Sequence, residues 1–271
     1  MSRIIGIFWQ NLWTFRDKNA KIILRLLMYR HIKDYEIKYV DVDAFDIIKA
    51  SALLGIMQES ACLSADELGF GYAEIQPKNL GFILANWFVD LLRPVKLGEV
   101  LQIHTWPLKP KHLVFLRDFE FYVGGEKVGA ASARWCMIDV KNFKFVPVSA
   151  NFKDGFFDGY NTERSIEFSS WKIADCGEKI YSHSRRIGFS DYDHYFHANN
   201  TKYADYVTDA FSAEEMCGKF IKSLQISYVK QCKAGETLEI FKTRGEDGYY
   251  YVDGKVGEEL RVQFKVLLNE I

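Results

Sequence analysis

The 271-residue chain predicts an α+β fold made of two copies of one unit, each a long helix wrapped by a curved antiparallel sheet. Three observations predict it. A phrase of the form K-x-G-E-x-L-x-I occurs twice, as Lys96-Leu-Gly98-Glu99-Val-Leu101-Gln-Ile103 and as Lys233-Ala-Gly235-Glu236-Thr-Leu238-Glu-Ile240. Each copy comes after an acidic turn, Asp41-Val-Asp43 in the first half and Asp191-Tyr-Asp193 in the second, with a helical stretch behind it. Runs of β-branched and aromatic residues, punctuated by Gly or Pro, follow each helical stretch and read as strands.

In the first half, Ile47, Leu54, Ala61, Ala65 and Leu68 recur at helical spacing, and Gly69 stands where a C-cap belongs. The spacing predicts a helix over 47–68. Strands are expected over 82–92, 100–106, 113–123 and 127–140, with Gly124-Gly125 as a hairpin signal and Gly98 turning the chain into the second strand. The second half repeats the order: a strand over 179–189, a helix over 199–218, then strands over 220–229, 237–243, 249–252 and 260–268. A long helix followed by an antiparallel meander is buried only if the sheet curls around it, which is the hotdog arrangement. Residues 147–170, with Gly155 and Gly159, lack periodicity and read as a linker. The expected organisation is an extension over 1–34, an N-terminal hotdog with its linker over 35–164, and a C-terminal hotdog over 165–271.

Composition limits the function classes. Lys plus Arg number 35 against 36 Asp plus Glu, so no net field favours nucleic acid. Five cysteines, Cys62, Cys136, Cys176, Cys217 and Cys232, show neither C-x-x-C spacing nor an even count. A soluble protein of the reducing cytoplasm, without signal peptide or membrane span, is the expectation. The first 34 residues differ, with seven Lys or Arg against two Asp among apolar clusters. Residues 1–33 could therefore rest weakly on a membrane surface, or pack as an ordinary helix on their own domain.

The densest candidate for chemistry is Ser190-Asp191-Tyr-Asp193-His194-Tyr195-Phe196-His197-Ala-Asn199-Asn200-Thr-Lys-Tyr203, where a strand gives way to the second helix. Asn199 suits the N-cap, and backbone N–H groups near 197–199 could receive a carbonyl oxygen. Asn199 and Asn200 are then substrate-binding candidates through their backbone. Asp191, Asp193, His194 and His197 could chelate a metal, a reading the close imidazole spacing disfavours. Cys232 with His197 and Asn199 could form a thiol nucleophile, against the commoner role of a cysteine as a small buried side chain. The first-half turn continues as Ala44-Phe45-Asp46-Ile47 without histidine and looks catalytically empty.

Over nearly everything after residue 35, these motifs resemble the acyl-acyl carrier protein thioesterases of bacteria and plant plastids. The resemblance rests on Glu36 to Asp43, Leu53-Leu54, Met57-Gln58-Glu59, Asp66-Glu67-Leu68-Gly69, Trp87, Gly98-Glu99, Thr105-Trp106-Pro107, Arg117-Asp118-Phe119-Glu120 and the D-x-x-x-H-x-N-N-x-K-Y run from Asp193 to Tyr203. It implies a double hotdog that hydrolyses fatty-acyl thioesters, with the catalytic residues in the C-terminal half and the acyl tunnel shaped by the N-terminal half. The family's D-x-N-x-H pattern lands on Asp193, Tyr195 and His197, and its E-C pair on Gln231-Cys232. Tyr195 thus replaces an Asn and Gln231 a Glu, and an amide cannot take a proton from water as a carboxylate does.

The expected mechanism makes Asp193 the base or nucleophile, with His197 steadying charge, Gln231 positioning water, Tyr195 supplying a phenol donor, and Cys232 beside the substrate. Met57, Trp87 and Phe88 are candidates for the tunnel wall, or simply core. Lys109, Lys111, Arg185, Arg186, Lys219, Lys222, Lys230 and Lys233 could receive an acidic carrier protein. No metal or cofactor is expected, and a tandem pair fits a monomer or homodimer. The rivals are a catalytically weakened acyl-binding protein, a hotdog dehydratase disfavoured by the Asp193–His197 spacing, and a membrane-surface acyl handler.

Overall fold

The computed structural model describes residues 29–153, 155–193 and 195–271. The first half contains β1 (His31–Glu36), a 3-10 turn (Tyr39–Asp41), α1 (Ala50–Glu67), α2 (Tyr72–Ile75), β2 (Leu80–Leu91), β3 (Val100–Pro107), β4 (Val114–Val123), β5 (Glu126–Asp139), β6 (Lys144–Phe145) and α3 (Val148–Asn151). The second contains β7 (Ile180–Arg186), a 3-10 turn (Phe189–Asp191), α4 (Lys202–Thr208), α5 (Ala213–Met216), β8 (Lys219–Tyr228), β9 (Thr237–Arg244), β10 (Tyr250–Val256) and β11 (Glu259–Glu270).

One antiparallel sheet runs β1-β3-β4-β5-β2-β8-β11-β10-β9-β7, with β6 folded onto β5. Read outward from the β2–β8 seam, the two halves have the same strand order, so the seam carries a pseudo-dyad. Its register agrees: Trp87 pairs with Ile226 and Val89 with Leu224. Trp87 and Leu224 occupy matching positions in the two halves, as do Val89 and Ile226, so the dyad exchanges the two pairs. A single apolar core spans both halves, and α1 supplies Leu53, Leu54, Met57 and Ala61 to it. Each large side chain so buried contributes about 1.5–3 kcal/mol.

The repeated K-x-G-E phrase is one turn built twice. The Lys96 N–H donates to the Glu99 carboxylate at 2.8 Å, and the Lys233 N–H to Glu236 at 2.8 Å. The intervening Gly98 and Gly235 take φ of 79° and 80°, a left-handed backbone that favours glycine. The Ile37 and Ile187 N–H groups donate to the carbonyls of Glu99 and Glu236, both at 2.9 Å, tying each turn to the end of the half's first strand.

Several expectations need correction. The helix expected over 199–218 is two helices, because Ser212 and Glu215 form a reciprocal capping box that starts α5 afresh. The strand expected to stop at 252 continues to Val256 through Asp253-Gly254, a pair that imitates a hairpin turn. A Cβ on Gly254 would lie 2.8 Å from a Val262 methyl, so the glycine serves close strand packing. Strand β1 begins at His31, inside the expected extension, while residues 1–28 lie outside the described residues.

The 147–170 segment is packed. Phe157 and Tyr160 join Phe70, Phe115 and Met137 in a second core, and Phe168 stacks on Phe88 at 4.3 Å between centroids. Phe88 therefore faces that segment, while Met57 and Trp87 are fully buried core residues.

Asp118, wholly buried on β4, pins the end of this segment. Its carboxylate accepts from Arg164 Nε at 2.9 Å, the Ser165 N–H at 2.8 Å and Ser132 Oγ at 2.6 Å. Asp118→Ala strips several donors of their acceptor and is expected to cost about 3 kcal/mol or more. Urea unfolding measures it, and a loss below about 1 kcal/mol contradicts the role.

Candidate active site

The second-half turn is held by the Asp193 carboxylate. Its Oδ1 accepts from the Tyr195 N–H at 2.8 Å and the His197 N–H at 3.3 Å. The Asp193 N–H donates to the His197 carbonyl at 2.9 Å, and Phe196 takes φ of 62° to close the turn. Small polar side chains favour such local bonds, which is why an aspartate sits here.

The first half contains the same object. Asp43 Oδ1 accepts from the Phe45 and Ile47 N–H groups at 2.9 and 3.1 Å, and Asp46 takes φ of 59°. Asp41 and Asp191 match too, accepting from the Lys38 and Gly188 N–H groups at 2.9 and 2.8 Å. The two turns thus differ in what they carry, with His197 standing where the first half has Ile47, and Tyr195 where it has Phe45.

The backbone N–H groups expected to receive a carbonyl oxygen are committed elsewhere. The His197 N–H goes to Asp193, the Ala198 N–H to the Cys232 carbonyl at 3.2 Å, and the Asn199 N–H to the Asp191 carbonyl at 2.8 Å. Nor is Asn199 the helix cap: α4 starts at Lys202 with Thr201 at the N-cap. The Asn199 side chain instead accepts from the Thr201 N–H and hydroxyl, both at 2.9 Å. The Asn200 carbonyl accepts from Tyr228 Oη at 2.9 Å.

The Ala198–Cys232 bond lays residues 231 and 232 beside 197 and 198. Gln231 is exposed there, its carbonyl held by Arg261 at 2.7 Å. Cys232 is fully buried at the position of the core residue Val95, and burial pushes its thiol pKa up. That environment suits packing and opposes a nucleophile. Buried His197 Nδ1 has no hydrogen-bond partner, and the ring meets Phe143 edge-on at 6.5 Å.

Tyr195 reaches across to the first half. A Cβ on Gly81 would lie 3.7 Å from Tyr195 Oη and 3.0 Å from Val140. Burial, then the nearby Tyr72, Asp193 and Cys62, raise the phenol pKa. Sequence reading missed this first-half wall of Cys62, Tyr72, Gly81 and Phe143, which only the dyad brings opposite the second-half turn. The strained φ of 51° at exposed Phe143 leaves no sequence signature.

His194 lies outside the described residues. No grouping of three potential metal ligands occurs among the described residues, and Asp191 leans toward Arg185 at 3.6 Å. Of the basic candidates for a carrier surface, Lys109, Lys222 and Lys230 are paired with Asp158, Asp90 and Glu259.

Fold and turn together define a tandem hotdog protein with histidine on one of its two aspartate-anchored turns. The acyl-ACP thioesterase N-terminal domain profile matches residues 28–156, and the C-terminal domain profile matches 177–269. The chain belongs to the acyl-ACP thioesterase family.

The oleoyl-acyl carrier protein thioesterase 1 of Arabidopsis thaliana is 21% identical over 77% of this chain, and the palmitoyl-acyl carrier protein thioesterase of Gossypium hirsutum 22% over 78%. The chain spans 62% and 54% of those two chloroplastic proteins. The crystal structure of an acyl-ACP thioesterase from Bacteroides thetaiotaomicron shares the fold with a TM-score of 0.80 at 21% identity, over 89% of this chain and 98% of that one. The 12:0-ACP thioesterase from Umbellularia californica gives 0.80 at 14% identity, over the same shares.

Asp193→Asn keeps an oxygen acceptor for the turn and Asp193→Ala removes it. The alanine variant is expected to lose about 0.5–2 kcal/mol, as a lost cap does, and the asparagine variant a small part of that. Equal losses in chemical denaturation contradict the anchoring role.

Proposed function

We propose that this protein hydrolyses fatty-acyl thioesters, with acyl-acyl carrier protein as the main substrate and acyl-CoA as a second. One observation carries the reading: two aspartate-anchored turns with the same hydrogen-bond pattern, of which one presents His197 and Tyr195 while its twin presents Ile47 and Phe45. Membership of the acyl-ACP thioesterase family supports the substrate class.

His197 is the base. Its imidazole takes a proton from water as the water oxygen attacks the thioester carbon. The C–S bond then breaks, and the thiolate leaves with that proton. The His197 ring carries a nitrogen with no hydrogen-bond partner among the described residues, whereas the Asp193 carboxylate oxygen is already spent on two backbone N–H groups. Asp193 accordingly positions the turn. With the N–H groups of residues 197–199 committed, the Tyr195 phenol is the donor to the developing oxyanion, and burial, which raises its pKa, favours its protonated form. Gln231, set beside His197 by the Ala198–Cys232 bond, orients the water. Asn199 holds Thr201 ahead of α4, Asn200 ties the turn to β8 through Tyr228, and Cys232 packs beneath it.

A carrier protein brings its acyl chain on a phosphopantetheine arm, and exposed Lys111, Arg186 and Lys233 suit its acidic surface. Five unpaired cysteines fit a cytoplasmic setting. No helix among the described residues is long and apolar enough to cross a membrane. The seam supplies within one chain the partner a single hotdog lacks, which suits a monomer or homodimer.

The test is thiol release from a panel of acyl-carrier and acyl-CoA substrates. His197→Ala is expected to lower kcat/KM about 10²–10⁴-fold, and Tyr195→Phe about 10²-fold. Asp193→Asn is expected to stay within about tenfold of wild type. No release by wild type sinks hydrolysis, and an Asp193→Asn enzyme as inactive as His197→Ala moves the base to Asp193.

A further inference from the structure

A cavity of about 770 Å³ opens at the first-half turn, the dyad counterpart of the turn that carries His197. That volume lies within the roughly 300–1,000 Å³ of small-molecule sites. Its apolar wall is drawn from both halves: Leu53 and Leu54 from α1, Val89 and Leu91 from β2, Phe220 and Leu224 from β8. Turn residues Ala44 and Ile47 lie at the wall as well, where the second half has His194 and His197 in sequence.

The rim is polar and mixed in charge. Asp41 and Asp43 are occupied in holding the turn, and Lys49 Nζ donates to the Val40 carbonyl at 3.1 Å. Arg185 lies over the Tyr206 ring. Asp205 and Asp209 line the α4 side, and Lys202 makes no ion pair among the described residues. An occupant must therefore be long, aliphatic and headed by a polar group that stays at the rim.

We infer that this cavity is a second acyl-chain site that binds one aliphatic chain with a carboxyl or thioester head and does not hydrolyse it. The choice of chain rests on the acyl-thioester reading of the opposite turn, since the dyad gives both places the same aspartate-anchored turn. The absence of hydrolysis follows from Ile47 and Phe45, which can neither take a proton from water nor donate to an oxyanion.

The experiment uses the full chain with dodecanoic acid, hexadecanoic acid and a non-hydrolysable thioether analogue of acyl-CoA, counting bound equivalents by native mass spectrometry. Ala52 and Ser51 line the cavity, so Ala52→Phe and Ser51→Phe fill it. The unmodified chain is expected to hold one equivalent more than either variant, with thiol release unchanged in both. Loss with the fatty acids or with the thioether identifies the head group, and no loss with any probe overturns the site.

Photolabelling by a diazirine fatty acid needs no variant. Label within residues 40–54 and 201–224 is expected, and label confined to 193–200 and 72–81 overturns the inference. Both readouts count or locate bound chain. A chain that hydrolyses nothing can therefore still satisfy them, which separates this inference from the proposed reaction.

Discussion

The antiparallel pairing of β2 with β8 is the constraint on which the rest depends. It joins two sheets into one, runs a single core through both halves, and sets each half's turn against elements of the other. The seam itself mixes polar and apolar contacts. Asn86 Nδ2 donates to the Ile226 carbonyl at 3.3 Å, and Lys222 Nζ bonds to both Asp90 and the Leu91 carbonyl at 2.9 Å. Such bonds fix register, because a slip of one residue would turn every inward side chain outward.

Within that frame, the aspartate-anchored turn is a structural device first and a chemical one second. Asp43 and Asp193 each spend an oxygen on the two matching backbone donors, and the two turns differ in the side chains they display. In the proposed reaction, the residue that shapes the turn is thus distinct from the residues that act.

Much of this was legible in the sequence, and for physical reasons. The K-x-G-E phrase could be matched because its glycine must take a positive φ and its glutamate must reach back to a backbone N–H. The strands followed from β-branched and aromatic runs between Gly or Pro turns and from the Gly124-Gly125 hairpin. What failed to show was what depends on distant partners. The strand over 249–252 was expected to stop short of Gly254, whose close packing on Val262 carries it on, and 147–170 looked like a linker although its phenylalanines cover the first half's sheet. The helix break at Ser212 was readable as a Ser-x-x-Glu capping box, which the single helix expected over 199–218 passed over. At the site, the order of Asp193, Tyr195, His197 and Gln231 was visible, but not the commitment of the N–H groups of residues 197–199, nor the wall made by Tyr72 and Phe143.

The most direct measurement is a crystal structure of the full chain with a thioether analogue of an acyl-pantetheine substrate, in which the reactive carbon is identified by its neighbouring sulfur. The account predicts that carbon beside the His197 imidazole, with the Tyr195 phenol on the adjacent oxygen position. A complex with the second-half turn empty and the sulfur held only at the Asp43 turn would contradict it.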